Sequence, residues 1–527
     1  MSKAIRIAKI SAKGGFNLFW GLAASTVISA LGVIIVARLL SPAEYGLVAI
    51  ALTAPSLITI FRDWGINSAT IKYTAQYCSE NKPANVKNVV AAGLLFELVL
   101  GLSLSLVSFA LSGFLATNMF QRPGIEPLIQ IASFTILAGA LQVGAQSVFT
   151  GTERMGLTSI VMILQSVLKA VLSPLFIILG LGALGAILGT TIAFIVTGLV
   201  SILILYLSIY KNLKASNNDG PKIMETIKNM LKYGLPLSIS AIISGFLSQF
   251  YSFLMAIYCI DLMIGNYQVA TNFAVLITFF ATPISTVLFP AFSQIDAQKE
   301  KETIRNVFQF SVKYAALLVV PAATAVIVLS QPGVSTLFGE KYAYAPLFLA
   351  LMSVSYLYFA FGNLSLGNLI NSQGKTEVNL KLTLISSAIG LPLSLMLIPN
   401  YGIIGLIATT LTAGIPSLIT GLWWAKKHFT VTVDWASSAK ILLSSALAAL
   451  IAYAAISQLG TANWIKLAIG TITFIVSYMA TASLTGAINK TDIQNIKEML
   501  KELGLLSRIL NYPLNLIEKA LLVLQKG

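Results

Sequence analysis

Cysteine, histidine and charge are the scarce components of this 527-residue chain. Its two cysteines, Cys78 and Cys259, give no disulfide framework and no CxxC metal spacing. His428 is the only histidine, so zinc ligation and histidine acid–base chemistry have almost nothing to work with. Charged residues make up 10% of the chain, against about 25% in an ordinary soluble domain. No GxxxxGK[ST] loop is present, which excludes ATP hydrolysis by that route. Acidic residues do not gather in any loop: Glu44, Glu126, Asp261 and Glu340 are scattered singly. That argues against a membrane-embedded glycosyltransferase or polymerase. The chain reads as a non-enzyme that needs neither cofactor nor metal.

What it has in abundance is apolar sequence. Hydrophobic residues make up 57% of it. Apolar runs occupy 14–38, 45–68, 88–116, 126–150, 156–180, 183–210, 230–257, 264–290, 306–330, 344–370, 378–398, 402–425, 438–459 and 463–486. A helix needs about 20 such residues to cross the hydrocarbon core. The runs predict an all-α polytopic membrane protein with about fourteen transmembrane helices. The first run follows Lys3, Arg6, Lys9 and Lys13, as a signal peptide would. It exceeds the roughly 7–15 apolar residues of a signal core, and reads as the first span. Pro, Gly, Asn or charge marks the breaks. The split at "PNYG" has the shortest loop.

Lysine and arginine fix the expected orientation. Nearly all fall at the N-terminus, around Lys72–Lys87, at Arg154, across Lys211–Lys232, Lys299–Lys313, Lys375–Lys381 and Lys426–Lys440, and in the tail from Lys490. The alternate loops hold only Arg38, Arg122, Lys341 and Lys466. The positive-inside rule then places both termini in the cytoplasm. The net charge of +15 is a cytoplasmic excess suited to anionic lipid headgroups. It needs no nucleic-acid partner.

The chain also repeats. "LGLGALGAILGTT" (179–191) resembles "IPNYGIIGLIATT" (398–410), with Gly182, Gly185 and Thr190 matching Gly402, Gly405 and Thr410 at a shift of 220. At nearly the same shift Arg154 matches Lys375 and Gln142 matches Asn363. The expected organisation is an N-lobe of helices 1–6 (1–210), a cytoplasmic linker (211–229) and a C-lobe of helices 7–12 (230–427). Two extra helices (428–489) and a cytoplasmic amphipathic tail (490–527), broken at Pro513, complete it. Six helices per half gives a parallel repeat about the membrane normal, with a site expected between the halves.

Charges inside spans are functional candidates, because each costs about 2.5–3.5 kcal/mol even on the lenient insertion scale. Arg62 and Asp63 fall inside the second run, toward its cytoplasmic end. They read as site residues or, alternatively, as a snorkelling arginine and a helix-end cap. Lys169 lies near the middle of the fifth run and Glu97 within the third. Lys169 lines a wet cavity on one reading and pairs with Glu97 on the other. Arg38, at the outer end of the first run, snorkels or joins the site. Gln142 and Gln146, spaced to share a helix face, join Asn363, Asn368, Gln165, Gln249 and Asn272 as polar candidates. Interhelical hydrogen bonding is the competing reading for each amide.

The stretch "ARLLSPAEYGLVAIALTAPSLITIFRDWGINSATIKY" (37–73) resembles the start of the Wzx-type polysaccharide flippases, in the superfamily that also holds the MATE exporters. Arg38, Pro42, Tyr45, Gly46, Asp63 and Gly65 match the family pattern. The resemblance implies two six-helix lobes around a central cavity, in the cell membrane. It implies a flippase carrying a polyprenyl-pyrophosphate-linked oligosaccharide from the cytoplasmic to the outer leaflet, with cavity cations on the pyrophosphate. Membrane lipids and glycan-assembly proteins are the partners implied. It reaches Arg62 and Asp63 through the motif; Lys169 and Glu97 rest on the physical argument alone. An ion-coupled MATE-like drug exporter and a lipid-processing membrane enzyme are the alternatives.

Overall fold

The computed structural model describes residues 3–62, 64–213, 223–295, 299–489, 492 and 494. Among them there is no strand. The principal helices are α1 (Lys3–Leu39), α2 (Pro42–Thr59), α3 (Ile66–Ser79), α4 (Pro83–Ala110), α5 (Glu126–Gly151), α6 (Met155–Phe176), α7 (Gly182–Ser208) and α8 (Ile223–Tyr258). They continue as α9 (Asp261–Ser293), α10 (Lys301–Val328), α11 (Ser330–Phe338), α12 (Ala345–Ser353), α13 (Asn363–Ser372), α14 (Thr376–Phe429), α15 (Trp435–Ser457) and α16 (Asn463–Leu484). Each apolar run of the sequence falls mainly on one of these helices or on two in succession. Among the described residues eight helices are long and apolar enough to cross a membrane, nine if a bent pair counts as one span. Two of the eight contain a reversal at a glycine. The chain is an all-α, multi-pass membrane protein.

The residues group into two compact units. The first comprises Met1–Gln268 and Leu391–Leu406. Small residues let its helices touch backbone to backbone, the usual way to gain packing where no water drives association. A methyl on Gly21 of α1 would strike Ser159 of α6, and one on Gly32 would strike Ala170. Gly46 of α2 lies against the Asp261 carbonyl, and Gly265 of α9 against the Pro42 carbonyl. A capping box opens α2: Ser41 Oγ accepts from the Glu44 N–H at 3.2 Å, and Glu44 Oε2 accepts from the Ser41 N–H at 2.9 Å.

The turn between α6 and α7 is a glycine hairpin. Gly182 has φ 50° and ψ −131°, and Gly185 packs on the backbone of Phe176 and Ile177. The matching hairpin inside α14 has Gly402 at φ 57° and ψ −131°, with Gly405 packed on Leu397 and Ile398. Only glycine takes this backbone without strain. The turns entering α6 and α14 match as well. The Arg154 N–H donates to Phe149 O at 2.8 Å and the Lys375 N–H to Ile370 O at 3.1 Å, each after a residue of positive φ, Glu153 or Gly374. The sequence repeat is therefore also a repeat of backbone geometry at these turns.

The second unit comprises Val269–Gly390 and Ile407–Gly527. Phe292, Phe308, Val312, Leu366, Leu369 and Phe429 form part of its core. Lys313 of α10 donates to both carboxylate oxygens of the buried Asp492, at 2.9 and 2.7 Å. Beyond Gln494 the expected amphipathic tail lies outside the described residues, as does 214–222 of the expected linker.

Two runs expected as single helices are broken. The run 45–68 divides into α2 and α3, separated by a turn in which Gly65 takes φ 79°. The cause is a close crossing: Gly65 and Gly234 of α8 meet backbone against backbone. The run 344–370 divides into α12, a 3-10 segment Val354–Phe361 and α13. Gly362 sits at the break with φ 87°, and the two parts bend by 56°.

Candidate functional site

The break between α2 and α3 positions the central residue. Arg62 lies in that turn, not within a continuous helix as the apolar run predicts. Its side chain is 12% exposed. The flanking Phe61 and Trp64 are exposed, and the Trp64 indole N–H donates to Phe61 O at 2.7 Å. Gly139 of α5 leaves room for the guanidinium: a methyl there would sit 3.3 Å from Nη1. Asp63 lies outside the described residues.

Glu97 of α4 approaches Arg62, with Oε2 3.7 Å from Nε and a carboxylate side chain only 1% exposed. This is an ion pair without a hydrogen bond, because the separation exceeds the hydrogen-bonding range. Arg62 Nε is buried and has no hydrogen-bond partner. The other carboxylate oxygen, Oε1, accepts from Asn67 Nδ2 at 2.8 Å. Ser147 Oγ of α5 lies 3.2 Å from Asn67 Oδ1 and 2.9 Å from Val143 O, so its single proton serves one or the other. Gly144 gives the Glu97 side chain its space.

A second polar group lies along α5. Gln142 Nε2 donates to Gln165 Oε1 of α6 at 2.9 Å, and Gln142 Oε1 accepts from Thr197 Oγ1 of α7 at 3.2 Å. Gln146, one turn further, keeps a buried Nε2 with no partner. Lys169 follows Gln165 by four residues, so the two share a helix face. It is half-buried. Among the described residues Lys169 makes no ion pair; Glu97 pairs with Arg62 instead. The Lys169–Glu97 alternative therefore fails.

The remaining candidates are not among the partners named above. Arg38 is exposed in the last turn of α1. Gln249 is half-buried on α8. Asn363 belongs to the second unit and starts α13 at the bend, exposed. Asn67 and Ser147 escaped the sequence reading. An asparagine next to "GI" reads as turn chemistry, and a serine in a span reads as helix packing. The available signal was Asn67 lying five positions after a charged residue in an apolar run.

Arg122 provides the second buried arginine of the unit. It sits just before α5, pairs with Asp261, and donates to the carbonyls of Phe120, Ala256 and Cys259, each at 2.7 Å. Two of these acceptors lie at the end of α8, where helical carbonyls lack partners.

The family described as "Polysaccharide biosynthesis protein" matches residues 35–346. The chain belongs to this polysaccharide biosynthesis protein family. The matched span includes Arg62, Asn67, Glu97, Gln142, Ser147 and Lys169. Among relatives, the chain is 24% identical over 380 residues to the lipopolysaccharide biosynthesis protein WzxC of Escherichia coli, covering 71% of this chain and 73% of that protein. It is 20% identical over 260 residues to the probable low-salt glycan biosynthesis flippase Agl15 of Haloferax volcanii, covering 49% of this chain and 55% of that protein. Its fold is similar to that of the lipid II flippase MurJ in an inward closed conformation, at TM-score 0.72 and 18% identity, over 89% of this chain and 98% of that one.

Proposed function

We propose that the protein is a flippase that carries a polyprenyl-pyrophosphate-linked oligosaccharide from the cytoplasmic to the outer leaflet of the cell membrane by alternating access. Both termini are cytoplasmic on this reading, and the chain works as two six-helix lobes, 1–210 and 230–427, followed by two further helices. It is a transporter without catalytic residues. The names of WzxC, Agl15 and MurJ support the substrate class.

One observation carries the reading: Arg62, its side chain 12% exposed, lies in a helix break within an apolar span and has no hydrogen bond at its buried Nε. A fixed cation in a span is costly unless it has a task. Its planar fork suits phosphate oxygens. Lys169 supplies a second positive charge, and Glu97 limits the net charge of the site before the ligand arrives. Gln146 and Gln249 are proposed to meet the sugar or diphosphate, with Arg38, Asp63 and Asn363 as further members of the path, while Gln142, hydrogen-bonded to Gln165 and Thr197, holds the helices beside it. The polyprenyl tail stays in the bilayer while the polar head passes.

The test is a leaflet-sidedness assay. Purified full-length protein is reconstituted into vesicles that carry a short polyprenyl-pyrophosphate-linked disaccharide. A membrane-impermeant lectin then reports which leaflet holds the sugar. The wild type is expected to move the lipid across, and Arg62→Ala to slow it at least about tenfold, the loss of one charge-assisted contact. Wild-type vesicles that leave the lipid sidedness unchanged while exporting a water-soluble organic cation would overturn the proposal.

A further inference from the structure

Asn67 stands second in α3, on the far side of the turn that holds Arg62. Its amide links Glu97 on one side with Ser147 on the other, and all three residues are buried. Glu97 therefore has Oε1 committed to an amide and turns only Oε2 toward Arg62, at 3.7 Å. Strong arginine–carboxylate pairs are bidentate, using both oxygens at hydrogen-bonding distance. Here the carboxylate is fixed and the guanidinium is not clamped. The charge is offset, while the N–H donors stay uncommitted to Glu97.

We propose that Asn67 is a positioning residue for ligand recognition. It holds the Glu97 carboxylate back from closing on Arg62, so that a phosphate-bearing ligand meets an available guanidinium. This rests on the reading of Arg62 as the phosphate contact given above. Without the Asn67 amide, the Glu97 carboxylate loses its Oε1 hydrogen bond and can turn further onto Arg62 in competition with the ligand. Ser147 supports the arrangement one step removed, by orienting the Asn67 amide.

The experiment measures binding of geranylgeranyl pyrophosphate to the full-length protein in detergent, with geranylgeraniol as the phosphate-free control and thermal unfolding recorded for each variant. Asn67→Ala is expected to weaken pyrophosphate binding about tenfold, the size of one charge-assisted hydrogen bond handed to a competitor. The informative arm is the pair. In the Glu97→Gln background the competitor is neutral, so adding Asn67→Ala should change binding less than about twofold. A residue that merely packs the core would weaken binding equally in both backgrounds, and that result overturns the inference. If Asn67→Ala does not fold, Ser147→Ala reads the same effect on a smaller scale: a loss of about twofold to threefold that vanishes in the Glu97→Gln background. Equal loss in both backgrounds again overturns it. Arg62→Ala separates the two layers of the argument. If Arg62→Ala binds like the wild type, the reading of the site fails. If it loses binding and Asn67→Ala does not, the positioning role alone fails.

Discussion

Arg122 and Arg62 occupy the same unit, sit at turns and are buried to a similar degree, with side chains 17% and 12% exposed. Their surroundings differ sharply. Arg122 meets a carboxylate and three main-chain carbonyls. Arg62 meets one carboxylate beyond hydrogen-bonding range and keeps a buried Nε without a partner. Burial alone therefore does not distinguish a structural arginine from one held ready for a ligand. Saturation of the donors does. Arg122 ties the start of α5 to the end of α8 and the start of α9, and little of its hydrogen-bonding capacity is left for anything else. Arg62 has capacity to spare in a place where leaving it unused is unfavourable.

The largest effect expected from this comparison is on folding. Arg122→Ala strands Asp261 and leaves the end of α8 uncapped, which should lower stability by roughly 3–5 kcal/mol, read as a fall in the unfolding midpoint in detergent. Arg122→Lys keeps the charge but loses the fork, and should recover only part of that stability. An Arg122→Ala protein of wild-type stability would break the comparison.

Next in size is the charge-matched test at Arg62. Arg62→Ala in the Glu97→Gln background removes both charges, and stability should stay within about 1 kcal/mol of the wild type. Lipid movement should still be lost. If the double variant flips lipid normally, Arg62 is as structural as Arg122 and the contrast collapses.

Lys169 sharpens the contrast further. It has no ion-pair partner among the described residues to strand, so Lys169→Gln should leave the unfolding midpoint within about 1 kcal/mol while reducing transport. Lys169→Arg should keep part of the transport, because charge matters there more than shape. A large destabilisation by Lys169→Gln would instead place Lys169 with the packed residues.

The overall helix plan was legible because the hydrocarbon core sets a length that sequence displays directly. The "PNYG" break was legible as well, since a glycine needed at positive φ recurs in the repeat. The break after α2 was not. Phe61 and Trp64 carry the apolar run straight through it, and what forces the turn is the approach of Gly234 from a distant helix. Arg62 stood out as a charge in apolar sequence, but the sequence points to no partner for it, and the alternative reading gave Glu97 to Lys169. Glu97 lies thirty positions from Asn67 in the chain, and only the packing of α3 on α4 brings them together. Arg122 was read solely as a topology signal, because a loop arginine looks the same in sequence whether it is solvated or saturated. The repeat match of Gln142 with Asn363 hid a divergence. Gln142 is locked between α6 and α7, whereas Asn363 opens a helix at a bend.

The glycine hairpins at Gly182 and Gly402 have a mechanical consequence. Gly185 and Gly405 press backbone onto backbone beside the turn, so the two arms of each hairpin touch directly next to it. Each pair of helical arms joined there behaves as one stiff lever. Bending has to be taken up by softer segments, and the 3-10 stretch Val354–Phe361, with its weaker hydrogen-bond geometry and the 56° bend that follows, is one such joint.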